Sequence, residues 1–366
     1  TLSLFRQNAF SRHLPGAVPR IFLLSEDLTM RVEHQISLSP FTTFGVEARA
    51  KRLVRLESRE DLEALRTVRE KDEPLLIIGA GSNILFTKDF DGLVAMDRIT
   101  GVEELPRGDA GEYRFRAGSG ENWSPLVSRM TESGHPGLEN LVLIPGSVGG
   151  AAVQNIGAYG IEAAERIDAV EIFDLESGEF RTLSTEECDF GYRSSVFKSE
   201  EGKNWVIVSV TFRLPNEKDW TPVTGYKGLS AALEGKEVTP RSVLVAVEGL
   251  RRSKLPDPKE FGNAGSFFNN PVVPELQARA LLEDYPQLVA YPLGGRRTKL
   301  AAGWLLDAAG FRGRVLGNAA VWDRQALVLV NRGGATGKEV KALCDEVIHA
   351  VNAKFGIELT PEVEIL

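Results

Sequence analysis

A chain of 366 residues with 43% hydrophobic residues is long enough for two or three globular domains. Its net charge of −8 argues against a general nucleic-acid surface, because such surfaces need clustered Lys and Arg. No apolar run reaches the ~18 residues of a membrane span, so the composition predicts a soluble protein without a membrane partner.

The numbers and positions of cysteine and histidine indicate whether the chain is a disulfide-stabilised or metal-binding protein. The two cysteines, at positions 188 and 344, exclude a disulfide framework and any four-cysteine metal site. The four histidines lack the spacing of a zinc site, so we expect no metal. This usage indicates the reducing cytoplasm.

The first 29 residues show neither a helical period nor a signal-peptide pattern. We interpret residues 1–33 as a disordered extension, or as the product of a misplaced start before Met30. An organelle-targeting segment is a weaker alternative, because Glu26 and Asp27 are acidic.

The first predicted elements are a strand at 53–58 and a helix that begins at Ser58, where Asp61 completes a capping box. The next strand runs into GAGSN at 79–83, which lacks the third glycine of a dinucleotide-binding fingerprint. Further strand follows, interrupted by a turn at DFDG (89–92). We therefore predict that a loop between strands, and not a helix N-terminus, forms the phosphate cradle here.

A strand and loop at 112–120 precede a helix predicted from Trp123 to about Ser133. The chain then enters its densest glycine stretch, within 137–160. Such a loop can aim successive N–H groups at one anion, although a glycine cluster alone also suits tight turns. Gln154, Asn155 and Tyr159 add amides and a flat ring, which suit a pyrophosphate with an aromatic head.

Two strands are predicted around the turn in 166–184, and another at 205–214. Helices dominate after residue 254, and the last one is predicted from Thr336, with Glu339 three residues on, to Lys354. Mixed strand and helix periods predict an α+β fold and not a doubly wound sheet.

Several separated motifs follow the order of one known family. They are GAGSN (79–83), IPGSVGGAAVQNIGAYG (144–160), GYRSSVFK (191–198), KLPDPK (254–259), GNAGSFFNNP (262–271), KLAAGWLLDAAG (299–310) and LTPEVE (359–364). Together they resemble the UDP-N-acetylenolpyruvoylglucosamine reductase family over about residues 36–366.

This resemblance implies a two-part FAD-binding fold of the vanillyl-alcohol-oxidase (PCMH) type and a C-terminal α+β substrate-binding domain. Carried onto this chain, the FAD-binding subdomains cover 34–100 and 101–254. The substrate-binding domain covers 255–354, and residues 355–366 return to the active site.

The resemblance also implies UDP-N-acetylmuramate dehydrogenase activity in a monomer. NADPH reduces FAD, and hydride then passes to the enolpyruvyl group of UDP-N-acetylglucosamine enolpyruvate, giving UDP-N-acetylmuramate for peptidoglycan synthesis. The FAD is expected to be non-covalent, because no His or Cys stands where related oxidases tether the flavin.

Three catalytic residues are carried over from the family motifs. Arg193 matches the arginine that contacts the substrate carboxylate and stabilises the enolate, a role suited to a guanidinium. Ser266 matches the proton donor, and Glu362 matches a glutamate that assists at the same end of the substrate. Glu364 is expected on the opposite side of the strand from Glu362.

The remaining carried-over residues bind cofactor or substrate. The cofactor set is Gly79, Gly81, Ser82, Asn83, Gly146, Gly149, Gly150, Asn155, Gly157, Ala158 and Tyr159. The substrate set is Lys254 and Asn270, for the diphosphate and nearby polar groups, and Tyr226, on a loop that covers the substrate.

Two other functions remain open at this point. One is an FAD-dependent oxidase or dehydrogenase of the same fold with another substrate, which would not need Arg193 and Ser266 together. The other is a non-catalytic nucleotide-sugar-binding protein, which would be expected to lack one of Arg193, Ser266 or Glu362.

Overall fold

The structure, a computed structural model, describes residues 30–366. Its first part, in chain order, consists of β1 (Glu33–Ser37), β2 (Arg49–Leu56), α1 (Arg59–Val68), β3 (Leu75–Ile78), β4 (Ile84–Leu85) and β5 (Phe90–Asp97). The strands other than β4 form a mixed sheet of order β1-β2-β5-β3, in which β5 runs parallel to both β2 and β3.

The start of α1 agrees with the sequence prediction. Ser58 and Asp61 form the predicted capping box, and Leu62 and Leu65 bury the apolar side of the helix. The loop prediction for 79–83 is also confirmed, because these residues connect β3 to β4 without a helix. The turn predicted at DFDG is wrong in part, because β5 already begins at Phe90.

The second part continues the chain order with β6 (Val102–Leu105), β7 (Tyr113–Gly118), α2 (Trp123–Glu132), α3 (Val148–Val153), β8 (Gly157–Ala158), β9 (Ile161–Glu162), β10 (Ile167–Asp174), β11 (Phe180–Ser184), β12 (Trp205–Leu214), α4 (Lys227–Leu233) and α5 (Pro240–Lys254). Five of its strands form an antiparallel sheet of order β11-β10-β12-β7-β6. The predicted helix after residue 123 and the strands around 166–184 and 205–214 are confirmed.

The third part comprises β13 (Gly262–Ser266), β14 (Val272–Pro274), α6 (Glu275–Asp284), β15 (Ala290–Leu293), β16 (Arg297–Leu300), α7 (Ala302–Ala308), β17 (Val315–Leu316), β18 (Ala319–Val321), β19 (Val328–Asn331), α8 (Gly337–Phe355) and β20 (Glu364–Ile365). Its sheets have the orders β13-β19-β18-β17 and β14-β16-β15. Thr336 and Glu339 form the predicted capping box of α8, and Gly356 ends that helix at φ 63°.

The C-terminal strand leaves the third part and joins the first. β20 pairs in parallel with β4, directly after the loop at 79–83. Just before it, Pro361 bridges to Phe268, and the Glu362 N–H donates to the Phe267 carbonyl at 2.8 Å. The end of the chain therefore lies between the first glycine loop and β13.

The buried side chains form shared cores. One cluster combines the first sheet with the third part, as shown by Leu53, Met96, Phe267 and Val347. A second cluster belongs to residues 113–247, and a third joins α1 and β2 to β10 and β12. The predicted three-part division at residues 34–100, 101–254 and 255–354 stays a prediction.

Residues 1–29 of the predicted extension lie outside the described residues. Met30 and Val32 pack against the third cluster, and Glu33 begins β1, so the fold begins before the boundary predicted at residue 34. Across residues 30–366, no helix has both the length and the apolar character needed to cross a membrane.

Candidate active site

The loop at 79–83 presents donors that the rest of the described chain does not use. Four successive backbone N–H groups, those of Ala80, Gly81, Ser82 and Asn83, donate to no acceptor within residues 30–366. Gly81 sits at φ 58°, and a Cβ there would lie 2.1 Å from the Phe41 carbonyl oxygen. Only glycine fits this position, and the free N–H groups form a nest suited to an anion.

The central glycine segment differs from its prediction as a loop. Residues 148–153 form α3, whose N-cap Ser147 accepts a hydrogen bond from the Gly150 N–H at 3.2 Å. The Val148 and Gly149 N–H groups donate to the carbonyls of Glu121 and Ser119. The N–H groups of residues 148–150 are therefore engaged within the protein and are not free for a pyrophosphate.

The two glycine segments are in direct contact. A Cβ on Gly79 would lie 2.1 Å from the Ser147 Oγ, and the Ser82 hydroxyl donates to the Pro145 carbonyl at 3.1 Å. Gly146 adopts φ 143°, which disfavours other residues. The predicted cofactor residues 79–83 and 146–150 thus form one continuous surface.

The Asn155 side chain is already fully bonded. Its Nδ2 donates to the Glu162 carboxylate and the Gly191 carbonyl, and its Oδ1 accepts from the Ala164 N–H. The Asn155 backbone is engaged as well, because its N–H donates to the Ala152 carbonyl and its carbonyl accepts from Arg193, so Asn155 holds the surrounding loop in place. Gly157 and Ala158 form β8 beside it, which pairs with β9.

Tyr159 and Tyr226, predicted separately for cofactor and substrate, meet in the structure. Their rings lie 5.1 Å apart in an edge arrangement, and Tyr226 is 45% exposed at the start of α4. Burial raises the pKa of Tyr159, and nearby Arg251 opposes this effect. An aromatic pair with an adjacent cation therefore lines this side of the site.

Sequence reasoning missed Arg251. Its buried Nε has no hydrogen-bond partner among residues 30–366, and burial lowers the pKa of the guanidinium. A signal was present, because Arg251 and Lys254 are three residues apart in α5 and so lie on neighbouring turns of one face. A buried donor without an acceptor is costly, so this half-buried cation is suited to an anionic ligand.

Arg193 and Glu362, both predicted to act at the same end of the substrate, form a partly buried ion pair. Arg193 Nε donates to Glu362 Oε1 at 2.8 Å, and the side chains are 17% and 19% exposed. The Arg193 Nη atoms donate to the carbonyls of Asn155 and Gly157. Burial raises the pKa of Glu362, while Arg193 and then Lys198 oppose this shift.

Ser266 lies at the end of β13, and Glu362, in a bend before β20, donates its backbone N–H to the carbonyl of the next residue, Phe267. Gly265 before it adopts φ 69°, and the Ser266 side chain is exposed with no hydrogen bond to residues 30–366. The Asn83 Nδ2 donates to the Glu362 carbonyl at 2.9 Å. The first glycine loop, Glu362 and the Ser266 strand are thereby linked.

The prediction that Glu364 faces away from Glu362 is wrong. Residues two apart in an extended strand would share a face, and Glu362 in fact lies in a bend just before β20. Lys198 lowers the pKa of both carboxyls against the effect of burial. Both carboxylates therefore lie within the electrostatic reach of one lysine.

Lys254 and Asn270 flank the site less directly. Lys254 is the last residue of α5, and its carbonyl accepts from the Trp322 indole N–H at 3.0 Å. Asn270 Oδ1 accepts from the Ala302 N–H at the start of α7, which leaves Nδ2 for a ligand. No described contact joins either side chain to Arg193 or Ser266.

Comparison with known proteins matches both halves of this arrangement. A family described as UDP-N-acetylenolpyruvoylglucosamine reductase, C-terminal domain, matches residues 257–366, and one described as FAD binding domain matches residues 50–184. The UDP-N-acetylenolpyruvoylglucosamine reductase of Burkholderia multivorans is 49% identical over 331 residues, covering 89% of this chain and 94% of that protein. The chain belongs to the UDP-N-acetylenolpyruvoylglucosamine reductase family.

Other members of the UDP-N-acetylenolpyruvoylglucosamine reductase family agree. The Burkholderia lata enzyme of that name is 46% identical, covering 92% of this chain and 97% of its own. The crystal structure of the Thermus caldophilus enzyme has 25% identity and a TM-score of 0.63, covering 92% of this chain and 99% of that one. The predicted family and the α+β fold, with a two-part FAD-binding fold and a C-terminal domain, are confirmed.

The protein is accordingly an FAD-dependent oxidoreductase, and FAD and NADPH are the cofactor and reductant of its family. The site fits FAD, because the four free N–H groups at 80–83 suit its pyrophosphate. Both cysteines are buried, and burial raises the pKa of each thiol to about 12, so neither is suited to tether a flavin.

Proposed function

We propose that this chain catalyses the NADPH-dependent reduction of UDP-N-acetylglucosamine enolpyruvate to UDP-N-acetylmuramate, as a cytoplasmic monomer. The observation that carries the proposal is the Arg193–Glu362 pair at 2.8 Å. This pair lies close to Ser266, because the Glu362 N–H donates to the carbonyl of Phe267, the residue after Ser266. Reduction of an enol ether next to a carboxylate requires a cation that binds the carboxylate and a proton donor close to it, and Arg193 and the Ser266 hydroxyl supply these two groups.

Arg193 is proposed to stabilise charge that develops on the substrate carboxylate. Hydride addition to the far carbon of the double bond shifts negative charge onto the carboxyl group, and an oriented donor stabilises that charge. The guanidinium is fixed by Glu362 and two backbone carbonyls, so little reorganisation is needed. Bound FAD supplies the hydride, which NADPH provides.

Ser266 is proposed to donate a proton to the carbon beside the carboxyl. Its hydroxyl is exposed and has no partner among residues 30–366, so it is available to a ligand. The left-handed Gly265 bends the strand just before it, which a residue with a Cβ would resist.

The diphosphate of the substrate is proposed to lie between α5 and the Tyr226 side of the site. Arg251 and Lys254 supply positive charge from one face of α5, and Asn270 retains a free Nδ2. Tyr226 is exposed next to Tyr159, so it is placed to cover this ligand.

Single-turnover kinetics of the Ser266→Ala variant test the proposal. NADPH should bleach the flavin at the wild-type rate, whereas reoxidation by the enolpyruvyl substrate should slow by at least the ~10²–10⁴ of a general acid. Ser266→Cys, which can still donate a proton, should restore part of the rate. Ser253→Ala, an exposed serine of α5, serves as the control.

Two outcomes would contradict the proposal. Equal slowing of both phases in Ser266→Ala would make Ser266 a structural residue. Rapid reoxidation of the wild-type protein by oxygen, with none by the enolpyruvyl substrate, would instead indicate an oxidase with another substrate.

A further inference from the structure

Arg193 is held in an unfavourable backbone conformation. It lies in a tight turn closed by two backbone hydrogen bonds between Gly191 and Ser194, at 2.9 and 3.1 Å. Its φ is 55°, in the left-handed region that long side chains rarely adopt. Other contacts must therefore hold the turn in place.

Lys198 makes such a contact. Its Nζ donates to the Arg193 carbonyl at 3.0 Å and to the Gln154 Oε1 at 3.3 Å. Gln154 is the C-cap residue of α3, and its own N–H donates to the Gly150 carbonyl in that helix. Lys198 thus ties the peptide of Arg193 to α3.

The ammonium of Lys198 also acts on the C-terminal strand. Burial raises the pKa of Glu362, and Arg193 and Lys198 are the two cations that oppose it. Burial likewise raises the pKa of Glu364, where Lys198 alone opposes it. Among residues 30–366, removal of Lys198 would therefore leave Arg193 as the one cation opposing protonation of Glu362, and none opposing protonation of Glu364.

We propose that Lys198 is a positioning residue for the Arg193–Glu362 pair: it fixes the Arg193 peptide against α3 and supplies the second positive charge beside Glu362. This inference rests on the proposed function, because the pair matters when a substrate carboxylate binds. Lys198 touches neither substrate nor cofactor in this scheme.

The test compares three variants. Lys198→Met removes the charge and the donor at similar length, and Lys198→Arg keeps both. Lys203→Met is the control, because it removes a lysine that pairs with the surface residue Glu200. Lys198→Met should slow reoxidation by the enolpyruvyl substrate by about 10- to 10²-fold, because a small displacement of Arg193 misaligns the carboxylate. FAD content and bleaching by NADPH should not change.

The pH profile separates this role from simple loss of structure. Lys198 lowers the pKa of Glu362, so its removal should let Glu362 protonate at higher pH. The acidic limb of the reoxidation rate should therefore move to higher pH in Lys198→Met and return in Lys198→Arg. Because Lys198 is exposed, added salt should move the wild-type limb in the same direction as Lys198→Met.

A carbon NMR titration of the Glu362 carboxyl provides a readout without turnover. If the wild-type protein fails to use the enolpyruvyl substrate, the proposed function falls, while a raised Glu362 titration in Lys198→Met still supports the positioning role. The inference would be overturned if Lys198→Met showed the wild-type Glu362 titration together with the wild-type reoxidation rate. It would also be overturned if Lys203→Met changed these quantities as much as Lys198→Met.

Discussion

The two glycine-rich segments use the same residue type for different purposes. In the loop at 79–83, positive φ and close backbone contact leave four N–H groups without acceptors among residues 30–366. In α3, the Val148, Gly149 and Gly150 N–H groups are engaged by Glu121, Ser119 and Ser147. Glycine density therefore marks close packing in both segments, but the donors for an anion lie mainly in the first.

The largest effect is expected for Gly81→Ala. The new Cβ would lie 2.1 Å from the Phe41 carbonyl oxygen, so the backbone must shift in addition to adopting φ 58° with a side chain. Melting temperature and FAD content should both fall, with a loss of on the order of 3 kcal/mol in the free energy of unfolding.

Gly45→Ala is the matched control, because Gly45 has φ 60° and nothing within 4 Å of an added Cβ. It pays only the backbone strain, which is about 1–2 kcal/mol. If both variants lose the same stability and keep FAD, the contact with Phe41 is not what defines the first loop.

Two neighbouring substitutions in α3 separate packing from ligand approach. A Cβ on buried Gly149 would lie 3.0 Å from the Ser119 Cβ, whereas one on exposed Gly150 meets only the Ser147 Oγ, at 3.4 Å. Gly149→Val should lower the melting temperature of the apoprotein and also empty the flavin site, while much of the fold remains.

Gly150→Val should leave the apoprotein melting temperature nearly unchanged. If FAD passes close to the exposed side of α3, this variant should still lose flavin absorbance. Normal flavin content in Gly150→Val would show that the exposed side of α3 does not contact FAD. Normal flavin content in Gly149→Val would show that no part of this glycine segment is needed to bind FAD.

The last effect depends on pH and concerns Asp97, which lies beneath the central segment. Its Oδ2 would be 3.5 Å from a Cβ on Gly149, and burial raises its pKa from 3.8 to about 6. The folded protein then binds this proton more tightly than the unfolded chain, so stability falls as pH rises from about 4 to 6.

Asp97→Asn should remove that pH dependence. At pH 8 it should raise the free energy of unfolding by up to about 3 kcal/mol, and at pH 4 it should change little. The Ile99 N–H, which donates to Oδ1 at 3.1 Å, keeps an acceptor in the amide. Melting curves at both pH values decide this, and equal shifts at both would show that Asp97 is not titrating.

Local signals were sufficient for much of the fold. The capping boxes at Ser58 and Thr336 depend on residues three positions apart, and both helices begin where predicted. The strand at 205–214 was predicted from its pattern of apolar residues, and the structure buries residues 206–210 in succession, on both faces of the strand. Each of these features is encoded within a few neighbouring residues, so tertiary contacts have little to override.

Features that depend on distant contacts were not predictable in the same way. The glycines of α3 have poor helix propensity, and the helix forms because Ser119 and Glu121 accept its first N–H groups. Arg251 and Lys198 lie in quoted or adjacent motifs, but their roles depend on neighbours brought from other elements. The residue-by-residue roles at the site stay predictions until the variants are measured.

The core shared by the first sheet and the third part has a consequence during synthesis. Met96 and Leu53 pack in one cluster with Phe267 and Val347, and Asn331 Nδ2 donates to the Phe44 carbonyl. At roughly 5–20 residues per second, a ribosome needs about 10 s or more to pass from the first group to the second. Throughout that interval the nascent chain carries an apolar sheet face without its cover, which is a surface prone to aggregation.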